Sequence, residues 1–362
     1  MKAVFLMVVG LGLASSALAA EARRETFGQI DGRPVPAVVL TNAGGVKARI
    51  IAYGAALQAL ETPDRDGQVA DIVLGYDDVA QYVANPSYLG VTLGRYANRI
   101  AKAGFTLDGQ RYALAATNGP NTLHGGQVGF GRVLWAIAEL KSGDEASVTL
   151  THVSPDGDEG FPGALSVSVT YALNDRNELA IRYSATTTRP TVVNLSNHSY
   201  FNLAGAGSGR TILDDRLTLA AERYTPVDAT GIPTGELAPV AGGPFDFKAA
   251  RVIGQAYDHN FVLDGTVTAE PRAVARLEDP RSGRAVQLLT TEPGLQVYTG
   301  AWLKGAGRGK GGHAYGAYEG VALEPQHFPD SPNQPAFPSV RLEPGQTYRQ
   351  TSIFRLSADA AP

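Results

Sequence analysis

The sequence contains no cysteine. That absence excludes disulfides, thiolate metal sites and a cysteine nucleophile, so packing has to hold the fold together. Amphipathic helical periodicity is almost missing too. The best candidate is one short segment near Asp78 to Val83, with Asp77 or Asp78 as its N-cap. There is no basic run, and the formal net charge is -4, which disfavours nucleic acid and anionic membranes as partners. A neutral small molecule fits better. No pair of histidines stands at helical metal-ligand spacing, and neither H-E-x-x-H nor D-x-D-x-D-G occurs. The G-x-S-x-G elbow of serine acyl transfer is absent as well. The glycine-dense piece Gly305 to Gly316 lacks a G-K-[ST] ending and reads as a surface loop, not a phosphate cradle.

An apolar run does occur at the N-terminus, from Ala3 through Leu13 after Lys2, followed by Ala17-Leu18-Ala19-Ala20 and then the charged stretch Glu21 to Glu25. This is the pattern of a secretory signal peptide over residues 1–20 with an A-x-A cleavage site. The run is too short for a stable membrane anchor. The mature protein is therefore expected to be soluble, in the periplasm or outside the cell.

What the sequence has in quantity is short alternating segments and turn residues. Leu165 to Leu173 and Leu179 to Tyr183 both alternate apolar and polar positions across Asn174, Asp175 and Asn177, the pattern of a hairpin with one buried face. Asp108-Gly109, between Phe105-Thr106-Leu107 and Gln110-Arg111-Tyr112, is a two-residue turn that needs positive φ. Further strands are expected at Ala37 to Leu40, Ala48 to Ile51, Ile72 to Leu74, Ser147 to Thr151, Arg216 to Ala220 and Asn260 to Leu263. Others are expected at Ala273 to Leu277, Ala285 to Thr290, Gly320 to Leu323 and Thr347 to Leu356. With 42 glycines, 22 prolines and 44% hydrophobic residues, the chain reads as all-β, a large antiparallel β-sandwich. Length alone would allow two domains, but no Pro/Ser-rich linker divides residues 21–362, so a single domain is expected.

Polar signatures interrupt these strands where a sheet presents side chains to a ligand. They are G-R-Y-A-N-R-I (94–100), N-T-L-H-G-G (121–126), N-H-S-Y-F-N-L (197–203), Y-D-H-N-F (257–261) and L-E-P-Q-H-F-P-D (323–330). His198 stands among Asn194, Ser196, Asn197, Ser199 and Asn202, any of which could fix its tautomer. Imidazole titrates near neutrality, so His198 is either a proton donor and acceptor or a structural histidine closing a local network. His124 precedes Gly125-Gly126, where missing side chains would let a ligand approach the backbone, though for this residue alone a turn histidine is the stronger reading. Asp258 could accept from two sugar hydroxyls or cap a hairpin. Arg99 beside Asn98 could serve a site or an ion pair, and Arg95 reads as an ion pair. Glu324 follows G-V-A-L and precedes Pro325, which cannot donate to a ladder, so it is expected at a strand end, partly desolvated and more basic for it. His152, His259 and His313 carry no comparable context.

Together with E-P-G-L-Q-V-Y-T-G (292–300), these signatures resemble the aldose 1-epimerase (galactose mutarotase) family, in order and spacing over nearly the whole mature chain. The resemblance implies a supersandwich with an open sugar cleft and a free aldose, such as glucose or galactose, as substrate. It implies Glu324 as general base and His198 as general acid, with His124 assisting at the ring oxygen. Asp258 would hold sugar hydroxyls, and Asn98, Arg99 and Gln296 would line the cleft. Ring opening and reclosure need one carboxylate and one imidazolium and no cofactor or metal. Three other readings compete: a glycoside hydrolase or lyase with Asp258 and Glu324 as a carboxylate pair, their separation diagnostic, a sugar-binding module without catalysis, and a sugar-phosphate epimerase, which would want a cluster of Arg or Lys where only Arg99 is evident.

The N-terminal pattern makes a direct prediction. Sequencing of the exported product should find a start near Ala20 or Glu21, and an exported chain retaining Met1 or Lys2 would overturn the reading.

Overall fold

The structure is a computed structural model, and it describes residues 20–84, 87–263 and 266–358. The expected leader lies outside these residues except for Ala20, whose main chain bridges Gly143.

The chain first lays down a five-stranded antiparallel meander, Glu21–Ile30, Arg33–Thr41, Lys47–Ile51, Ala56–Pro63 and Val69–Asp71. A nine-stranded sheet follows. Its first four strands run in sequence: Ala136–Lys141, Glu145–Ser154, Leu165–Asn174 and Glu178–Thr187. The C-terminal strand Tyr348–Ala358 then inserts beside Glu178–Thr187 and joins it to Arg284–Thr290, Arg272–Glu278, Arg216–Leu219 and Arg251–Val252. A six-stranded sheet orders Tyr200–Phe201, Val321–Gln326, Gly294–Tyr298, Asp258–Val262, Arg223–Tyr224 and Ala238–Pro239. Alternation gives each sheet one apolar face, and these faces meet. Val38, Leu40 and Ile50 of the meander, Val169, Ile181 and Phe354 of the large sheet, and Phe261, Leu295, Val297 and Leu323 of the third share one buried cluster. The architecture is the all-β sandwich that the alternating pattern implies.

Local signals held where local forces decide. The hairpin pairs Leu165 with Thr187 through to Leu173 with Leu179, and Asp108 and Gly109 turn at φ 52° and 77°. The helix runs Val79–Ala84. Asp78 is its cap: the Gln81 main-chain N–H donates to Asp78 Oδ1 at 2.9 Å, while Gln81 Oε1 accepts from the N–H groups of Asp77 and Asp78 at 3.1 Å each. This reciprocal pairing is a capping box.

Long-range contacts revised four expectations. Ile72 to Leu74 is a link between sheets and not a strand, because Ile72 N–H donates to Leu60 O in the meander while Leu74 N–H donates to Tyr200 O in the third sheet. Arg95 is buried, but its partners are not carboxylates. Its guanidinium donates to Ser154 Oγ and to the carbonyls of Ser154, Pro155, Pro162 and Gly163 at 2.6–3.0 Å, spending its donors on residues 154–163. The Gly305–Gly316 segment is not confined to the surface, since Ala306 and Tyr315 are buried and Lys310 reaches inward to Asp71 and the Val73 carbonyl. Finally, Glu324 lies within its strand, which continues through Pro325, opposite Leu295, to Gln326. Pro325 supplies no N–H there, yet its carbonyl accepts from Ser196 Oγ and Gln350 Nε2.

The capping box predicts that Asp78→Ala lowers stability by about 1 kcal/mol in urea titration while Asp78→Asn keeps most of it. Equal losses in both variants would overturn the capping role.

Candidate active site

Cross-strand register places the acidic end of the site. Gln296 stands opposite Glu324 on one side and Asn260 on the other, and one row along Tyr298 stands opposite Asp258 and Ala322. These residues share a face because side chains alternate, and the opposite face belongs to the core. A second segment brings the histidine. Residues 88–93 run beside Ser196–His198, with His198 N–H donating to Val91 O and Gly90 N–H donating to His198 O, both at 2.9 Å.

The polar neighbours of His198 hold main chain and other side chains, not the ring. Asn197 Nδ2 donates to Gly90 O and the Tyr171 hydroxyl, Asn194 Nδ2 to the carbonyls of Ala97 and His327, and Asn202 Nδ2 to those of Arg210 and Glu319. Ser196 donates to Pro325 O, and Ser199 to Asn197 Oδ1. The tautomer expectation for these side chains is corrected accordingly. His198 Nδ1 is buried with no well-aligned partner among the described residues, and Nε2 lies 3.7 Å from Glu324 Oε1.

His124 is fixed differently. Its Nδ1 accepts from the Asn98 main-chain N–H at 3.2 Å, so the neutral ring carries its proton on Nε2. The ring stands edge-on to His198, centroids 5.2 Å apart. Gly125 and Gly126 do not open the backbone to a ligand, contrary to the sequence reading. A Cβ on Gly125 would lie 1.9 Å from Gly94 O, and one on Gly126 would lie 2.2 Å from the Glu159 carboxylate. Those glycines permit close packing of the loop that carries His124, and Glu159 ties that loop down through the N–H groups of Gln127 and Val128.

A cleft of about 370 Å³ joins these groups, lined by His124, His198, Glu324, Asp258, Arg99 and Asn98 among others. Six of the seven sequence-derived site residues therefore meet there. Gln296 lies just behind the wall, where its Nε2 donates to Asp258 Oδ1 at 2.6 Å. Arg99 donates through Nε to Asn118 Oδ1 at 3.0 Å and faces Asp258 Oδ2 at 3.6 Å. Tyr88, Asn118, Tyr200, Tyr298 and the exposed Trp302 also line the cleft. Sequence inspection missed them as site residues, because an aromatic lining a cleft and one filling a core look alike in sequence and Asn118 stands outside the polar signatures. Tyr88, Asn98 and His124 have φ of 57°, 64° and 51°. Left-handed backbone in such residues costs roughly 1–3 kcal/mol each and collects where function demands it. Among the described residues no three His, Asp or Glu side chains are grouped to hold a metal ion.

Burial sets the proton chemistry. Desolvation, with the nearby Asp258 charge, pushes Glu324 well above the usual glutamate value, against a smaller pull from Arg99. Desolvation also lowers His198 to about 4 and holds His124 well below 6.5, the latter aided by His198 and Arg99. Opposite charges near 4 Å attract by roughly 4 kcal/mol at an effective dielectric of about 20. That is comparable to the several kcal/mol each ion loses on burial. Carboxylate with imidazolium and carboxylic acid with imidazole differ by one proton moved across 3.7 Å. The two shifts favour the neutral pair in the sugar-free cleft, and the ionic pair that ring opening needs is one proton transfer away.

Comparison with known proteins agrees with this geometry. The sequence model of the family described as aldose 1-epimerase matches residues 36–355. Galactose mutarotase of Bos taurus is 46% identical over 320 residues, covering 86% of this chain and 91% of its own. Aldose 1-epimerase of Escherichia coli K12 is 35% identical over 343 residues, covering 91% and 97%. Among solved structures, an aldose epimerase homologue from C. elegans superposes with a TM-score of 0.82 at 32% identity, covering 88% of this chain and 98% of that one. Galactose 1-epimerase from Lactobacillus acidophilus gives 0.81 at 26%, covering 94% and 100%.

The buried pair predicts opposite pH trends in stability. Folded Glu324 keeps its proton to higher pH than the unfolded chain does, so its contribution falls as pH rises above about 4.5. For His198, lowered from 6.5 to about 4, stability is lost as pH falls through that window. The melting temperature of Glu324→Gln should therefore gain on wild type from pH 5 to 8, and that of His198→Asn should gain from pH 7 to 4.5. Differences that do not change with pH would overturn the assignment.

Proposed function

The chain belongs to the aldose 1-epimerase family, a family of isomerases, and on that premise we propose that Glu324 and His198 are the base and acid that open and reclose the ring of a free aldose. The observation that carries this is the buried carboxyl–imidazole pair, 3.7 Å apart, at the wall of the cleft. Neither the hydrolase reading nor the binding-module reading gains support from the curated relatives compared above, which are named for mutarotase or epimerase chemistry.

Glu324 takes the proton from the C1 hydroxyl. The O1 electron pair forms the carbonyl, the C1–O5 bond breaks, and O5 receives a proton from His198. His124, with its Nε2–H, donates a hydrogen bond to the ring oxygen and so stabilises the charge that develops there. After rotation about C1–C2 the same steps run backwards with acid and base exchanged, closing the other anomer. Protons balance over the cycle. The remaining groups orient the sugar: Asp258 accepts from hydroxyls, and Arg99 and Asn98 bind beside it. Glucose and galactose are the substrates proposed. The N-terminal pattern supports export of the enzyme to the periplasm or beyond.

Polarimetry of freshly dissolved α-glucose and α-galactose tests the mechanism. Glu324→Gln and His198→Asn should each lower the catalysed rate by roughly 10² or more, with smaller effects on sugar binding. The double variant should be little worse than the worse single one, because the two groups act as a unit. Near-complete mutarotation by Glu324→Gln would overturn the mechanism and favour a binding role.

A further inference from the structure

The sheet face that presents Glu324 continues inward as a polar layer that the steps above do not use. Asn260, Gln296 and Glu324 stand opposite one another in one row, and the next row holds Val262, Gly294 and Gln326. Alternation puts both rows on the same face. Asn260, Gln296, Gln326 and Glu324 are each at most 2% exposed. Even so, both ends of the Asn260 amide, both ends of the Gln326 amide, Gln296 Oε1 and Glu324 Oε2 find no hydrogen-bond partner among the described residues.

Six such atoms on four adjoining side chains are far from the ordinary pattern, because a buried polar group without a partner costs roughly 1–3 kcal/mol. Cross-strand neighbours have Cβ atoms about 5 Å apart, and residues two along a strand are about 7 Å apart. These side chains are therefore close enough for single waters to bridge them. Gly294 makes the grouping possible. A Cβ there would lie 2.4 Å from Asn260 Oδ1, so its absence admits the Asn260 amide between the two rows. Phe328, Phe337 and Val262 form an apolar cluster beside this end of the sheet, and Phe328 borders the same space at Gly294.

We propose that Asn260, Gln296 and Gln326 form an internal polar chamber that binds ordered water against Glu324 Oε2, and that Asn260 and Gln326 are positioning residues for the carboxylate. Oε1 then faces His198 while Oε2 is anchored from behind. The amides supply donors to the water, and the water donates to Oε2, which steadies the carboxylate form and fixes its rotamer. The inference rests on the reading of Glu324 as the base.

Two measurements test it. In polarimetric pH profiles with galactose, Gln326→Met and Asn260→Leu should each move the acid limb of kcat upward by about one unit, a roughly tenfold loss on that limb, with KM changed less than about twofold. Gln326→Asn keeps an amide and leaves space for another water, so it should restore most of the rate. An unmoved limb at full kcat in both apolar variants overturns the inference while leaving an inactive Glu324→Gln, and hence the base assignment, intact. If those variants do not fold, a high-resolution crystal structure of the wild-type enzyme decides. Ordered water bridging Glu324 Oε2 to the Asn260 or Gln326 amide supports the chamber. Amides bonded directly to protein with no water at Oε2 overturn it.

Discussion

A carboxyl and an imidazole held 3.7 Å apart, each almost removed from water, set the terms for the rest of this molecule. Burial drives both toward their neutral forms, raising Glu324 and lowering His198, while their mutual attraction opposes it in part. Such a balance survives only if neither group moves. A carboxylate free to rotate toward solvent would become an ordinary acid, and an imidazole free to swing would titrate near 6.5.

Much of the surrounding structure can be understood as immobilising that pair. The third sheet fixes Glu324 by main-chain pairing on both sides of its strand. The 88–93 segment clasps His198 through reciprocal main-chain bonds, and the Asn and Ser side chains flanking His198 tie down carbonyls from four separate regions. Left-handed backbone at Asn98 and His124 directs the second histidine so that its Nδ1 is occupied and its Nε2–H is free for the cleft. The same economy explains Gly125 and Gly126, which let the His124 loop pack directly onto Gly94 and Glu159.

The features legible in the chain are those whose cause is local. The hairpin over Leu165–Thr187, the Asp108-Gly109 turn and the capping box at Asp78 depend on neighbours a few residues away, and each formed where the pattern put it. Ile72 to Leu74 has the same apolar look as a strand, yet its main-chain bonds are claimed by two different sheets. Arg95 looked like an ion-pair residue, because nothing near it in sequence announces four carbonyls converging from residues 154–163. Tyr88 and Tyr298 were passed over since an aromatic lining a cleft and one filling a core have the same sequence signature.

By itself the sequence determined the all-β class, the absence of cysteine chemistry and, through the order and spacing of its polar signatures, the family and the residues that meet in the cleft. The class follows from alternation and turn chemistry, which act over short separations, whereas the family and the cleft residues came through the resemblance those signatures carry. Only the tertiary structure decided how those residues are protonated and oriented. It put the His124 proton on Nε2, left His198 Nδ1 without a well-aligned partner, set Gln296 behind Asp258 instead of in the wall, and carried the Glu324 strand past Pro325. The physical reason is that proton affinity and side-chain direction depend on desolvation and on partners far apart in the chain, such as Arg99 for Glu324, and those are set when the sheets close around one core.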